Sequence, residues 1–221
     1  MKLLLTSNGI KNQILVQTFF QLIDNNASAR RVAFIPTAGL IYDSDKRWLV
    51  EAMHNFAVNA PWMSFDVVDL AGLTPQMAYD RLSKSDVLVA WGGNEHFLAY
   101  ALEHSGIAGR LRELLEDRVW IGASAGSSVL GGDIPAKVLE QVYGEATPEE
   151  YRSSRFLEII EPAIFSHYES PDYPGASDES LEGQVEFLGR KAYAIDDNSA
   201  LLISGQQIEV ISAGKWRLFG G

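Results

Sequence analysis

Short apolar runs rich in β-branched residues alternate along the chain with longer segments in which apolar residues recur at helical spacing. The apolar runs cover residues 2–9, 31–39, 64–70, 85–94 and 118–124. Helical patterns cover residues 12–23, 44–57, 74–84, 95–106 and 106–117. Alternation of this kind predicts βαβ units, and therefore a mostly parallel sheet with helices on both faces. The predicted fold class is α/β.

The pattern changes after about residue 190, where extended runs are separated by turn residues. Ser204-Gly205-Gln206 lies between two such runs and predicts a turn between paired strands. We therefore expect antiparallel edge strands near the C-terminus. The 221 residues contain neither a repeat of solenoid period nor a linker-like segment, so one domain over residues 1–221 is predicted.

Composition and charge exclude several classes of function. The formal net charge of −11 should repel nucleic acid and acidic membrane surfaces. The chain has no cysteine, which excludes disulfides, thiolate metal sites and a cysteine nucleophile. The first residues lack the core of a signal peptide, and no apolar run approaches the roughly 20 residues of a membrane helix. These observations predict a cytoplasmic protein without nucleic-acid or membrane partners.

The run 118–124 ends in Gly122-Ala123-Ser124-Ala125-Gly126, a G-x-S-x-G sequence at a predicted strand end. Glycines on both sides relieve crowding where a strand turns sharply into a helix. Such a turn would leave the Ser124 hydroxyl projecting from the carboxyl edge of the sheet. The sequence therefore predicts Ser124 as a nucleophile.

A serine nucleophile needs a base within hydrogen-bond reach, and the chain has four histidines. His54 and His104 lie in predicted helices, whereas His96 follows a glycine turn and stays an alternative base. His167 is the best placed, because it follows the apolar run 162–165 where a strand gives way to a loop. No histidine pair has metal-ligand spacing, and no cofactor fingerprint is present, so neither a metal nor a cofactor is expected.

Gly92-Gly93-Asn94 follows the fourth apolar run and opens a helix. Paired glycines at this position allow close approach to the backbone and can leave N–H groups free at the edge of the sheet. The amides of Gly93 and Ala125 could then form an oxyanion hole beside Ser124. A simple tight turn is the alternative interpretation.

These motifs together resemble the peptidase E family of aspartyl dipeptidases, with cyanophycinase as a more distant relative. The resemblance rests on the following features of the sequence: "GASAG" at 122–126, "GGN" at 92–94, "FIPTAG" at 34–39, the loop of His167, and "YAIDDNSALLI" at 193–203. It implies a flavodoxin-like, three-layer α/β fold related to class I glutamine amidotransferases, with serine replacing their nucleophilic cysteine.

The resemblance also implies roles for individual residues. Ser124 would be the nucleophile, His167 the general base, and Asn94 a contact to the substrate. The third triad member in the family is an acid between the serine and the histidine, and Glu145 is favoured for it here. Asp133 and Glu140 are alternatives in the same segment, and Glu169 is another because His167-Tyr168-Glu169 has the spacing of the glutamine amidotransferase triad.

Family members that select an N-terminal aspartate use an arginine downstream of the histidine, which suits a carboxylate partner. Residues 175–191 contain no arginine before Arg190 and instead carry four acids. These acids, Asp178, Glu179, Glu182 and Glu186, would favour a cationic or neutral first residue if they lined the pocket. The favoured interpretation is that they form the solvent-exposed face of a helix. The sequence therefore predicts an aspartyl dipeptidase-like enzyme whose preference for the first residue stays open.

A serine dipeptidase acting on small peptides from the N-terminal side is the leading hypothesis. A different serine hydrolase on the same fold, such as an esterase or a cyanophycinase-like enzyme, and a non-catalytic ligand-binding homologue stay as alternatives. A homodimer through exposed tryptophans is also left open, although the five tryptophans mostly lie in apolar surroundings that favour burial.

Overall fold

The computed structural model describes residues 1–23, 30–61 and 63–220. Its strands are β1 (Lys2–Thr6), β2 (Arg31–Ile35), β3 (Ser64–Val67), β4 (Val87–Ala90), β5 (Val119–Ala123), β6 (Ala163–Phe165), β7 (Ala192–Ile195), β8 (Ser199–Ser204), β9 (Gln207–Ser212) and β10 (Trp216–Phe219). Its α-helices are α1 (Gln13–Leu22), α2 (Thr37–Leu40), α3 (Arg47–Asn59), α4 (Pro75–Ser83), α5 (Glu95–His104), α6 (Leu111–Leu114), α7 (Ala125–Ser128), α8 (Ala136–Tyr143) and α9 (Asp178–Leu188).

The larger sheet has seven strands in the order β3-β2-β4-β5-β1-β8-β9. The five strands from β3 to β1 are parallel, and β8 and β9 continue the sheet in antiparallel pairing. Gly205 forms the β8–β9 turn with a φ of 63°, a conformation that glycine adopts without steric cost. The predicted parallel sheet and the antiparallel C-terminal strands are both confirmed.

Alternate residues of the parallel strands point into two separate cores, which makes the fold three-layered. Leu4 of β1 packs with the apolar faces of α1 and α3, whereas Leu3 and Leu5 pack with the helices of the opposite face. Because every residue of β4 and β5 is buried, these central strands read as continuous apolar runs rather than as alternating ones. The prediction of helices on both faces is confirmed.

A second sheet of three strands, in the order β10-β7-β6, packs against the core that contains Leu3 and Leu5. Strands β6 and β7 are parallel, with Phe165 opposite Ala194. Their carboxyl ends therefore meet at one edge, just as those of β1, β4 and β5 meet in the larger sheet.

None of the helices in the described ranges has the length and apolar character needed to cross a bilayer.

Candidate active site

Ser124 lies at the sharp turn between β5 and α7. Its backbone has a φ of 50° and a ψ of −115°, a conformation that a residue other than glycine rarely adopts. The turn is held by the Ser124 amide, which donates to the Thr6 carbonyl at 3.1 Å, and by the Ser127 hydroxyl, which donates to the same carbonyl at 2.7 Å. This is the strained strand-to-helix turn that G-x-S-x-G sequences form.

Close packing explains why glycine follows the serine by two residues. A Cβ on Gly126 would overlap the Ala90 carbonyl of the neighbouring strand β4. The Trp120 indole N–H also donates to the Gly126 carbonyl at 3.0 Å. Helix α7 can therefore start directly against the sheet, which leaves Ser124 partly exposed at its carboxyl edge.

His167 follows β6 by two residues and reaches the serine from the second sheet. Its Nε2 lies 3.2 Å from the Ser124 Oγ, and its Nδ1 lies 2.7 Å from Oδ1 of Asp197. Asp197 follows β7 by two residues, so the parallel pairing of β6 and β7 places the two side chains together. When the imidazole proton resides on Nδ1 and is donated to Asp197, Nε2 is free to accept the serine proton.

Ser7 and Asn8, the two residues that follow β1, hold this histidine–aspartate pair in place. The Ser7 hydroxyl donates to Asp197 Oδ1 at 2.6 Å and accepts the His167 main-chain N–H at 2.8 Å. The Asn8 amide donates to Oδ2 of the same carboxylate at 2.8 Å. Burial alone would raise the pKa of Asp197, but the hydrogen bonds and charge of His167, with the donors from Ser7 and Asn8, hold it well below its usual range.

The acid beside His167 is thus Asp197, and not the favoured Glu145 or one of its three alternatives. Asp133 pairs with Arg155 at 3.2 Å, and Glu140 pairs with Arg152. Glu169 accepts a hydrogen bond from the Asp178 main-chain N–H. The expectation of an acid between the serine and the histidine missed Asp197 because that residue follows both in the sequence. Its position just after a buried β-run was the signal that could have found it.

The loop after β4 lies directly beside the serine. An ideal Cβ on Gly92 would stand 3.2 Å from the Ser124 Cβ. Gly93 has a φ of 135°, and its main-chain N–H makes no hydrogen bond within the described part of the chain. The N–H of Ala125, the first residue of α7, has no acceptor within the helix. Neither of the two predicted oxyanion donors therefore has a hydrogen-bond acceptor among the residues that the structure describes.

Asn94 also lines the site, but its side chain is occupied within the protein. Its Oδ1 accepts the Phe97 amide at 2.9 Å, and its Nδ2 donates to the Tyr42 hydroxyl and the Thr147 hydroxyl, each at 3.0 Å. These bonds cap α5 and tie it to the loop after α8. The side chain is 3% exposed and has no N–H left for a substrate.

His96, the alternative base, points away from the serine. Its ring is buried and its Nδ1 bonds to the Ser154 carbonyl at 2.8 Å. The four acids of residues 175–191 lie on α9 and do not line the site; Asp178 and Glu182 pair with Arg217 instead. The interpretation of these acids as a solvated helix face is therefore the one that the structure supports.

A cavity of about 470 Å³ opens over Ser124 and His167. Tyr173 stacks on the His167 ring with centroids 4.7 Å apart, and Tyr143 meets the same ring edge-on. Glu95 and Glu145 also line this cavity. Its volume falls in the range of small-molecule sites.

Glu95 is the most unusual carboxyl group of the cavity. It is the first residue of α5 and is only 5% exposed. Burial raises its pKa to about 8, and the charge of nearby Glu145 adds to the rise, although its own main-chain N–H opposes it. The free energy gained at the helix N-terminus is thus smaller than the cost of desolvating the carboxylate.

Glu95→Gln is expected to stabilise the protein at alkaline pH. The folded protein keeps this proton up to about pH 8, whereas the ordinary pKa is 4.5, so the free energy of unfolding falls as pH rises between these values. Each pH unit costs at most about 1.4 kcal/mol, and a neutral glutamine removes this cost. Urea unfolding should show that the free energy of unfolding of the variant, relative to that of the wild-type protein, is higher at pH 9 than at pH 5.

Glu103→Gln on the exposed end of the same helix is the matched control. Because this carboxyl group is exposed and not buried, the gain in stability between pH 5 and pH 9 should be larger for Glu95→Gln than for Glu103→Gln. An equal difference at pH 5 and pH 9 for Glu95→Gln would contradict the raised pKa.

Serine, histidine and aspartate joined in one chain of hydrogen bonds at the carboxyl ends of β-strands are the arrangement of serine hydrolases. The sequence model of peptidase family S51 matches residues 3–211. The chain belongs to this family, the peptidase E family, which confirms the resemblance drawn from its motifs.

Two curated relatives match over most of their length. "Uncharacterized peptidase Lmo0363" of Listeria monocytogenes serovar 1/2a (strain ATCC BAA-679 / EGD-e) is 23% identical over 208 residues, covering 90% of this chain and 97% of the relative. "Uncharacterized peptidase PM1590" of Pasteurella multocida (strain Pm70) is 21% identical over 205 residues, covering 89% and 95%.

Solved structures share the fold. A crystal structure described as a "Putative Peptidase E Protein" from Listeria monocytogenes EGD-e has a TM-score of 0.76 at 21% identity, covering 96% of this chain and 98% of the other. A peptidase from an acI-B1 Actinobacterium has a TM-score of 0.66 at 19% identity, covering 97% and 88%.

Proposed function

We propose that this protein is a serine peptidase that hydrolyses dipeptides or short peptides through an acyl-enzyme on Ser124. The observation that carries the proposal is the hydrogen-bonded chain Ser124–His167–Asp197 at the wall of a cavity. Membership of a peptidase family and the free amides of Gly93 and Ala125 support the same function.

In this mechanism the Ser124 Oγ attacks the scissile carbonyl carbon while its proton passes to Nε2 of His167. The amides of Gly93 and Ala125 bind the oxyanion of the tetrahedral intermediate. The imidazolium, stabilised by Asp197, then returns the proton to the leaving amine as the peptide bond breaks. Water attacks the acyl ester by the same route, with His167 taking its proton and returning it to Ser124.

The charges of the cavity argue against selection of an N-terminal aspartate. Among the described residues, no arginine lines the cavity. Arg190, the first arginine in residues 175–191, instead pairs with Glu158 at 2.8 Å. A substrate carboxylate would meet the acidic side chains of the cavity without a guanidinium to bind it, so we expect aspartate-first peptides to be poor substrates.

The test combines labelling with turnover. A fluorophosphonate should label the wild-type protein at Ser124, and substrate peptides should slow that labelling. Amine release should then be measured from dipeptides that begin with Asp, Glu, Ala, Leu, Lys or Arg. We expect turnover of several members, with Asp-first peptides among the slowest.

Two results would contradict this proposal in different ways. Labelling together with p-nitrophenyl acetate hydrolysis, but no peptide turnover, would favour another serine hydrolase. Absence of both labelling and turnover would favour a ligand-binding protein.

A further inference from the structure

The ionisable side chains around the cavity are predominantly acidic. Five carboxyl groups line it, those of Glu51, Glu95, Glu145, Asp172 and Asp197. Apart from His167, the basic side chain that lines the cavity within the described ranges is that of Lys11, which lies on the exposed surface. The cavity is therefore suited to a ligand that brings positive charge.

Two of these carboxyl groups, those of Asp197 and Glu95, differ in the number of hydrogen-bond donors that they receive. Asp197 receives hydrogen bonds from His167, Ser7 and Asn8. Glu95 is more deeply buried, yet within the described part of the chain its carboxyl group has only its own main-chain N–H as a donor. A buried carboxyl group with a single donor costs free energy, and a ligand that supplies further donors recovers part of it.

Glu145, on the loop after α8, lines the same cavity, and its charge acts on Glu95. This loop is held in place by Thr147, whose amide donates to Glu140 at 2.9 Å and whose hydroxyl accepts from Asn94. The two carboxyl groups are thus fixed on separate elements, α5 and the loop, and face a common space. Aromatic rings of Tyr42 and Tyr143 line the same cavity.

This arrangement favours an organic cation over a metal ion. The described residues contain no group of three or more carboxylate or imidazole side chains placed to hold a metal. An ammonium group favours the ionised form of a nearby carboxyl group, can then donate to two carboxylates at once, and can also lie against tyrosine rings. A single carboxylate–ammonium hydrogen bond in a buried site is stronger than its neutral counterpart.

We propose that Glu95 and Glu145 form a subsite that binds a positively charged ammonium group of the substrate. The proposal deepens the proposed function, on which it rests, by giving the substrate class as short peptides with a cationic group next to the scissile bond. The ammonium could be the free α-amino group or a basic side chain of the first residue.

The test measures binding without turnover. Full-length Ser124→Ala protein is titrated calorimetrically with Lys-Ala, Ala-Ala, N-acetyl-Lys-Ala and N-acetyl-Ala-Ala. We expect N-acetyl-Ala-Ala, which has no ammonium, to bind at least about tenfold more weakly than Lys-Ala, since a hydrogen bond to a charged group is lost. Tight binding of Ala-Ala would identify the α-amino group, and tight binding of N-acetyl-Lys-Ala would identify the side chain.

Charge-neutral variants locate the subsite. In the Ser124→Ala background, Glu95→Gln and Glu145→Gln should each weaken Lys-Ala binding about tenfold or more, whereas Glu103→Gln on the same helix as Glu95 should not. Thermal unfolding of each variant shows whether it is folded. The subsite is overturned if all four peptides bind equally, or if both glutamine variants bind Lys-Ala like their parent.

This result is separable from the proposed function. Ammonium-dependent binding without labelling or hydrolysis in the wild-type protein would leave the subsite standing and remove the peptidase. Peptide hydrolysis by a protein whose peptide binding does not depend on an ammonium group would support the peptidase and contradict the subsite.

Discussion

Ser124→Ala is expected to lower kcat for peptide hydrolysis by roughly 10⁴- to 10⁶-fold. The methyl group cannot attack the scissile carbonyl, and His167 then has no hydroxyl proton to accept. The cavity keeps its other side chains, so the dissociation constant of a dipeptide should change little. Steady-state kinetics for kcat, with calorimetry for binding, check the two halves of this expectation.

Ser128→Ala is the matched control, since Ser128 lies on α7, the short helix that begins directly after Ser124, and its hydroxyl donates to the Ile164 carbonyl at 3.0 Å. That variant loses a structural hydrogen bond but no reacting atom, so its kcat should stay close to that of the wild-type protein. Equal loss of activity in both variants would show that kcat depends on the structure of the turn and not on the Ser124 hydroxyl.

The features that sequence reasoning captured depend on local order along the chain. Ser124 and His167 each follow an apolar β-run, and ligands of open α/β folds bind at the carboxyl ends of the strands. The G-x-S-x-G spacing adds a steric requirement that few other turns share, because Gly126 must pass close to Ala90. Such signals need no knowledge of which strands are neighbours.

The third member of the triad was missed because its position depends on strand pairing. β6 has three residues, too few to reveal that it joins β7 and not the larger sheet. That pairing is what brings Asp197 to His167 across 30 positions in the sequence. Glu145 does line the cavity, but its neighbours there are Glu95 and tyrosines and not His167. The sequence therefore predicted that Glu145 lies near the site, but it did not predict that another residue is the acid of the triad.

Asp197→Asn is expected to lower kcat by about 10⁴-fold, the loss known when the triad acid becomes an amide. An asparagine in this position can turn its NH₂ group towards Nδ1 of His167, which shifts the imidazole proton to Nε2, the nitrogen that must accept from Ser124. The charge that stabilises the imidazolium is lost as well. The measurement is kcat for the best dipeptide of the panel, with binding followed separately.

Glu169→Gln is the control for this variant, because Glu169 is an acid only two residues after His167 whose carboxylate, within the described residues, accepts from the Asp178 main-chain N–H and not from the imidazole. Its kcat should stay near the wild-type value. A large loss of kcat in Glu169→Gln, with little loss in Asp197→Asn, would show that Glu169 and not Asp197 is the acid of the triad.

The low pKa of Asp197 adds an independent readout. Because the folded state favours its carboxylate, this group stabilises the wild-type protein above the usual aspartate pKa, and the stabilisation is lost as pH falls below it. Asp197→Asn should therefore lose less stability than the wild-type protein on acidification.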